Sequence, residues 1–402
     1  MTLGAKMEYL NSIFLRYKKA NRKQKSVILN EFCANCGYHR KHAIRVLRTF
    51  KRFAKPKLKK RGKHSIYNTP ALILPLKRIW LAAHLPCSKN LKAVLPIWLP
   101  FYAEEFEPLA QHVFDLLTRI SASTIDRILK PIKIKYRGRG KSCTKPGSLL
   151  RNQIPIKTDQ WNEFRPGFIE ADTVHHCGES TEGQYAITVN YTDIASQWTE
   201  QRAVWGKGQQ GVFKQTKKVE KSLPFAILGF DCDNGGELLN LHIFKYFTGR
   251  KTGSVQYTRS RAYKKNDNSH IEQKNWTHVR QWLGYSRFDN PKVVMLINGL
   301  YTSEWRFYHN FFCPSVKLIE KKRVASKIIK RYDKPQTPYQ RLIASSHICE
   351  LTKQKLKEQF KTLNPFKLRK AIEAKIEKIH VLQRKFNFKN KQKFNQKQLQ
   401  LR

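Results

Sequence analysis

The chain has 402 residues, 78 of them Lys or Arg against 29 Asp or Glu, for a formal net charge of +49, and 40% are hydrophobic. That apolar content excludes a chain disordered along its whole length, and the length allows two to four domains. A charge of this sign calls for a polyanionic partner, and nucleic acid fits because each phosphate contact releases condensed counterions.

A membrane partner is not expected. The early apolar run Ala71–Leu76 is far shorter than the roughly 18 residues of a spanning helix. The first residues carry no hydrophobic signal core. The expectation is a soluble protein of the cytoplasm, associated with the nucleoid. Eight scattered cysteines suit a reducing compartment.

In chain order, residues 1–60 predict an all-α helix-turn-helix region. Val27, Ile28, Leu29, Phe32 and Cys33 recur at helical spacing, and Gly37 can stop that helix. A second helix is predicted from about Arg40 to Phe50. It has Ala43, Val46, Leu47 and Phe50 on one face and Lys41, Arg45 and Arg48 on another. A basic second helix after a glycine turn suggests DNA binding, against the alternative of a solvated helical pair. Cys33, Cys36, His39 and His42 are zinc-type ligands, but they are crowded more closely than finger ligands normally are. The alternative is that Cys33 packs inside its helix.

Residues 65–132 form a second helical, helix-turn-helix-like block. Its last helix starts at the capping residue Ser121, carries Ile125, Ile128 and Leu129, and is expected to close at Pro131. Arg127 is a candidate DNA contact. Residues 133–161 read as a basic linker.

From 162 to 290 the pattern changes to a central α/β core with a five-stranded mixed sheet. Strands are predicted at Gly167–Cys177, Gln184–Thr192, Trp198–Trp205, Phe225–Cys232 and Ser254–Thr258. Helices are predicted at Gln209–Lys221, Glu237–Phe247 and Asn268–Leu283. Residues 300–402 form a basic C-terminal region. It has an amphipathic helix at 366–385 and a tail whose seven basic and no acidic residues over 383–402 predict disorder.

In a chain so poor in acid, three carboxylates stand out. Asp172 lies in an apolar strand, where an unpaired acid is costly, and Glu170 shares its face. Asp233 opens the Asp-Asn-Gly-Gly turn after the fourth strand, where α/β sheets place their sites. Glu272 falls in the first turn of a helix among Lys264, Lys265 and Lys274. Each has a bland alternative: a sheet edge, an ordinary turn, a solvated helix charge. Together, three carboxylates can hold two divalent ions about 4 Å apart for in-line phosphoryl transfer. Hard Mg²⁺ prefers such oxygen ligands. The three lysines are candidates to hold phosphates.

The stretches GFIEADTVHHCG, TDIASQWTEQRAVWGKG, DCDNGGELLN, SRAYKKNDNSHIEQKNW, NFFCPSVKL and TPYQRL span about 165–345. In order and spacing they resemble the integrase-type DDE transposases of bacterial insertion sequences, within the retroviral integrase superfamily. Asp233 and Glu272, 39 positions apart, match that family's usual gap. Leu238 stands where the family often has an aromatic. The resemblance implies a ribonuclease H-like core with Asp172, Asp233 and Glu272 as catalytic and metal-binding residues. It also implies two Mg²⁺ ions (Mn²⁺ as substitute), double-stranded DNA as element ends and target, and a homo-oligomer that pairs two ends. The implied activity is DNA cleavage followed by strand transfer. A non-catalytic DNA-binding protein or inactive copy is the alternative, and a nuclease of the same fold is a third reading. His175, His176, His270, Asn234 and Asn275 lie near the triad and are candidate helpers.

Overall fold

A computed structural model describes residues 1–50, 66–136, 163–232, 236–250, 253, 255–259, 269–324 and 327–400, with some side chains among them left out. The chain forms two compact units, Met1–Ile66 and Tyr67–Arg402.

The first unit holds α1 (Leu3–Lys19), α2 (Arg22–Cys36) and α3 (Arg40–Thr49). Asn21 and Gln24 cap α2 reciprocally: the Asn21 Oδ1 accepts from the Gln24 amide at 3.0 Å and the Gln24 Oε1 from the Asn21 amide at 3.1 Å. Gly37 ends α2 at φ +65°, a left-handed residue that glycine adopts without a Cβ penalty. Leu10, Ile13, Ile28, Phe32, Ala43 and Leu47 form the core. Cys36 is buried in it and Cys33 packs against it, while the His42 Nδ1 lies 3.0 Å from Arg45 Nη2.

The second unit is built around the expected mixed sheet. Its strands are β1 (Phe168–His175), β2 (Ala186–Asp193), β3 (Thr199–Trp205), β4 (Gly229–Cys232) and β5 (Gln256–Arg259), in the order β3-β2-β1-β4-β5. β1 pairs antiparallel with β2 and parallel with β4. β2–β3 is antiparallel and β4–β5 parallel. This is the ribonuclease H-like arrangement, with β1 in the middle. One sheet face packs on α8 (Gln209–Ser222) and α9 (Leu241–Thr248) through Ile169, Ala171, Val189, Tyr191 and Phe230.

A helical shell covers the other face. It draws on α4 (Pro70–Ala82), α5 (Ser88–Trp98), α6 (Gln111–Arg119) and α7 (Ala122–Lys135), which precede the sheet in the chain. It also draws on α10 (Ser269–Lys274), a π-helical segment (Asn275–Arg280), α11 (Gln281–Leu283), α12 (Pro291–Leu300) and α13 (Arg306–Phe312). After a two-stranded hairpin, β6 (Leu318–Val324) and β7 (Lys327–Tyr332), come α14 (Pro338–Ala344), α15 (Glu350–Lys361) and α16 (Pro365–Gln400). One hydrophobic cluster runs from Leu72 through Trp98 and Leu129 to Trp305, Phe312 and Ile379. The helical block at 67–136 is therefore built into the same core as the C-terminal helices. The Trp98 Nε1 donates to the Phe312 carbonyl at 3.1 Å, and the Tyr308 hydroxyl to that of Ala82 at 2.7 Å.

Several expected boundaries move. α7 runs through Pro131 to Lys135. Pro131 and Arg127 lie on the exposed face, where water can hydrate the carbonyl that loses its amide partner. The fourth strand shortens to Gly229–Cys232, and α9 starts at Leu241 with Asn240 as its cap. The tail expected to be disordered continues α16 as helix to Gln400; Ile372 and Ile379 seat that helix in the core. Of the basic linker, residues 137–161 lie outside the described residues.

Trp98 is fully buried, its ring edge-on to Tyr308, Phe312 and Phe366. Trp98→Ala should cost about 3–5 kcal/mol in urea unfolding. A loss under about 1 kcal/mol would mean the two helical blocks do not share a core.

Candidate active site

Alternation along β1 turns Glu170, Asp172 and Val174 to the sheet face covered by α10. The register then builds polar rows across the sheet. Asp172 lies opposite Asn190 on β2, which lies opposite Gln201 on β3. One row over, Glu170 lies beside Thr192 and Asp231, and Asp231 beside Thr258. Glu170, Asn190, Gln201 and Asp231 are all buried, so each needs partners.

The helix supplies many of them. The Ile271 amide donates to Glu170 Oε2 at 3.2 Å. The Asn275 Nδ2 donates to Asp172 Oδ2 at 2.6 Å, and the Asn190 Nδ2 donates to Asn275 Oδ1 at 2.9 Å. Gln201 Nε2 in turn donates to Asn190 Oδ1 at 2.8 Å. Three amides thus run hand to hand from β3 to the Asp172 carboxylate, whose other oxygen accepts from the Thr173 amide at 2.7 Å. Glu272 sits between the two tethers, one residue after Ile271 and three before Asn275. The π-helical turns begin at Asn275, and such wide turns recur at functional sites.

The parallel register pairs Ala171 with Cys232. Asp172 and Asp233 are the residues that follow these two in sequence. Asp233, with Asn234, lies outside the described residues, as do Lys264 and Lys265 and the side chains of Glu272 and His270. The donor set is carboxylate oxygen with an amide close by, which suits a hard divalent ion and offers nothing to a thiol-seeking one.

Beyond Asp233, the described residues Gly236 and Leu238 are held from the opposite sheet face. The Gly236 carbonyl accepts from Gln209 Nε2 at 3.0 Å and that of Leu238 from the Tyr257 hydroxyl at 3.0 Å. Leu238 is fully buried and serves as a packing residue. Glu237 Oε1 lies 3.3 Å from His175 Nε2 and accepts from the Thr173 hydroxyl at 3.3 Å. The hydrogen bond to His175 is the largest influence drawing the Glu237 carboxyl down to about 2.

His176 is buried, its Nε2 2.8 Å from Thr188 Oγ1, and burial lowers it to about 3. It is a packing residue of the sheet. Lys274 departs from expectation. It is 4% exposed, and burial brings its ammonium down to about 8. It sits inside the helical shell and offers no phosphate contact. The charge read as surface because sequence spacing did not reveal that this turn of helix is covered at Lys274. Lys41, Arg45, Arg48 and Arg127 are exposed. The first three stand on the outer face of α3 while Ala43 and Leu47 face the core. Among the residues of the candidate site, Asn190, Gln201, Asp231 and Glu237 were not singled out by sequence reasoning. The signal available was Thr188, Asn190 and Thr192 at every second position of β2 and the polar run Thr199–Arg202 that opens β3, polar residues inside buried strands.

The fold and site define an α/β protein with a ribonuclease H-like core and carboxylates at its central strands. No family model matches the chain. It is 34% identical over 343 residues to the uncharacterized protein y4rM of Sinorhizobium fredii (strain NBRC 101917 / NGR234), covering 85% of this chain and 96% of that one. The chain belongs to the family of that protein. Among solved structures it is similar to the HTLV-2 integrase catalytic core domain in complex with magnesium, with 13% identity, 38% of this chain and 91% of that chain covered and a TM-score of 0.27. It is also similar to the catalytic core domain of BIV integrase, with 12% identity, 43% and 91% coverage and a TM-score of 0.26. The fold class stands on the strand order and directions.

Two measurements test this geometry. Asn275→Ala should remove a hydrogen bond to a carboxylate, and should lower stability by about 1.5–3 kcal/mol in urea with EDTA present. A change within about 0.5 kcal/mol would mean the amide chain does not hold Asp172. The second is pH. Burial holds His84 at about 4 and His176 at about 3, whereas both take up protons near 6.5 when unfolded. Their neutral forms therefore support the fold fully above about pH 6.5 and lose that support as pH falls through 4 and then 3. The thermal midpoint should fall below pH 6.5, and less steeply in His84→Gln. An equal slope in that variant would remove His84 from the account.

Proposed function

We propose that the protein is a DDE transposase, a metal-dependent polynucleotidyl transferase that cuts DNA and joins the freed 3′-hydroxyl to target DNA. One observation carries the reading. α10, which bears Glu272, is tethered on both sides of that residue to the two acids of β1, Glu170 and Asp172. The neighbouring parallel strand ends one residue before Asp233. The order Asp172, Asp233, Glu272 and their spacing add to it, as does the charge of +49.

On this reading Asp172, Asp233 and Glu272 would hold two Mg²⁺ ions, with Mn²⁺ as substitute. When bound, these would activate an attacking water or 3′-hydroxyl and stabilise the leaving oxygen. The chain's own part is positional. Asn275 orients the Asp172 carboxylate, the Asn190–Gln201 amides keep Asn275 in place, and the contacts of Gly236 and Leu238 hold the chain at the end of the Asp-Asn-Gly-Gly sequence. Holding such groups in fixed geometry supplies much of a rate enhancement. Lys264 and Lys265 are proposed phosphate contacts near the site. Lys41, Arg45, Arg48 and Arg127 are proposed contacts to the element's ends. Two protomers on paired ends, in the nucleoid, complete the proposal. No helix among the described residues is long and apolar enough to cross a membrane.

The test is cleavage of labelled duplex carrying the element's own ends, with Mg²⁺, Mn²⁺ or EDTA, for wild type and Glu272→Gln. Nicked and joined products should need the metal and drop at least about a hundredfold in the variant. Tight binding of the ends with no cutting under any metal would make the protein a DNA-binding factor.

A further inference from the structure

The hairpin β6–β7 interrupts the stretch between NFFCPSVKL and TPYQRL and pairs with no third strand among the described residues. Its sequence holds Lys321, Lys322, Arg323, Lys327, Lys330 and Arg331 against the single acid Glu320. The cations fall on both faces. The register sets Lys321 opposite Lys330, and Lys322 opposite Ile329 two residues from Arg331. Like charges directly opposite each other weaken a hairpin, and a two-stranded hairpin is marginal by itself. Lys322 and Arg331 are 71% and 77% exposed at the side chain, with Glu320 2.8 Å and 3.5 Å from their nitrogens. One carboxylate thus answers two cations.

The root, by contrast, is fixed. Ser315 and Gln336 exchange backbone hydrogen bonds at 2.9 and 3.2 Å. The Asp333 amide donates to the Lys317 carbonyl at 2.9 Å, and the Lys317 amide to Asp333 Oδ1 at 2.6 Å. Arg341 of α14 pairs with Asp333 and donates to the Ser315 carbonyl at 2.8 Å. A rigid root under a blade whose sequence holds six cations against one acid is not built to close a core.

We infer that this hairpin is a contact for the phosphate backbone of duplex DNA, a surface additional to the helical contacts and resting on the reading of the protein as a DNA-acting enzyme. A two-stranded ribbon fits the width of the major groove, and phosphates on its flanks neutralise cations that the hairpin itself leaves opposed. Contacts of this kind position DNA without reading sequence.

The test is duplex binding by Glu272→Gln protein across a salt series, which measures affinity apart from cutting. Into that background go Lys322→Ala, Lys330→Ala and Arg331→Ala together. A second set, Lys355→Ala, Lys357→Ala and Lys361→Ala, exposed positions of α15, serves as control. Each lost phosphate contact lowers the slope of log K against log salt by about 1. The hairpin set should therefore lower it by about 2–3, alike on unrelated duplexes, with an unchanged thermal midpoint, and the control set by under about 1. Equal slopes for the hairpin set and its parent, or an equal drop in both sets, overturn the hairpin contact alone. A change in sedimentation coefficient with no change in slope makes the hairpin a protein contact and also overturns it. Absence of duplex binding by the parent removes the proposed function and this inference together.

Discussion

The placement of acids on the middle strand of a buried sheet constrains much else in the second unit. Glu170 and Asp172 stand two residues apart on β1, in a position where an unpartnered carboxylate costs several kcal/mol. Amides are among the partners the fold supplies. The Ile271 amide meets the first acid and Asn275 the second. Those bonds fix where α10 lies on the sheet, and with it the backbone of Glu272. The same requirement explains the polar rows of β2 and β3. Asn190 and Gln201 are buried because Asn275 needs an orientation, and an amide can be oriented only by another donor or acceptor.

Another buried acid does meet cations. Glu200, fully buried on β3, lies 3.1 Å from Arg202 and 2.9 Å from Arg306 of α13. This buried triad clips the sheet to the helical shell. It contributes position more than net stability, because desolvation offsets much of the Coulomb attraction. Elsewhere the shell buries groups in their neutral form. His278 and His309 stack at 4.0 Å, and burial pushes both well below the ordinary histidine value. The shell is wide and apolar enough to hold two imidazoles uncharged, so it insulates the back of α10 from water.

How much of this was legible in the sequence follows from what each signal measures. β1 was readable from GFIEADTVH because apolar residues flank its acids, and α3 because Ala43 and Leu47 recur at helical spacing. The helix after Asn268 was readable as a pattern, yet its π-helical middle was not, since apolar spacing does not register one extra residue per turn. The burial of Lys274 was hidden because its cover comes from distant segments. Among them is α13, seated near it through the His309–His278 stack. The block at 65–132 read as separate because its apolar residues say only that it must pack, not on what. Its partner, Phe312, lies 214 positions from Trp98.

On the proposed reading, the charge distribution separates binding from chemistry. A net +49 attracts DNA over a Debye length of about 8–10 Å at ordinary salt, and exposed arginines and lysines on α3 and the β6–β7 hairpin lie where that attraction can act. The site itself has the opposite sign: Glu170, Asp172 and Asp231 share one sheet face, and Asp233 and Glu272 add to it in sequence. A phosphodiester approaching these carboxylates is repelled until divalent charge stands between them. On that reading the chain would hold DNA without metal but would seat the scissile phosphate only with it. That arrangement keeps cutting tied to the assembled site while the basic surfaces search along the duplex.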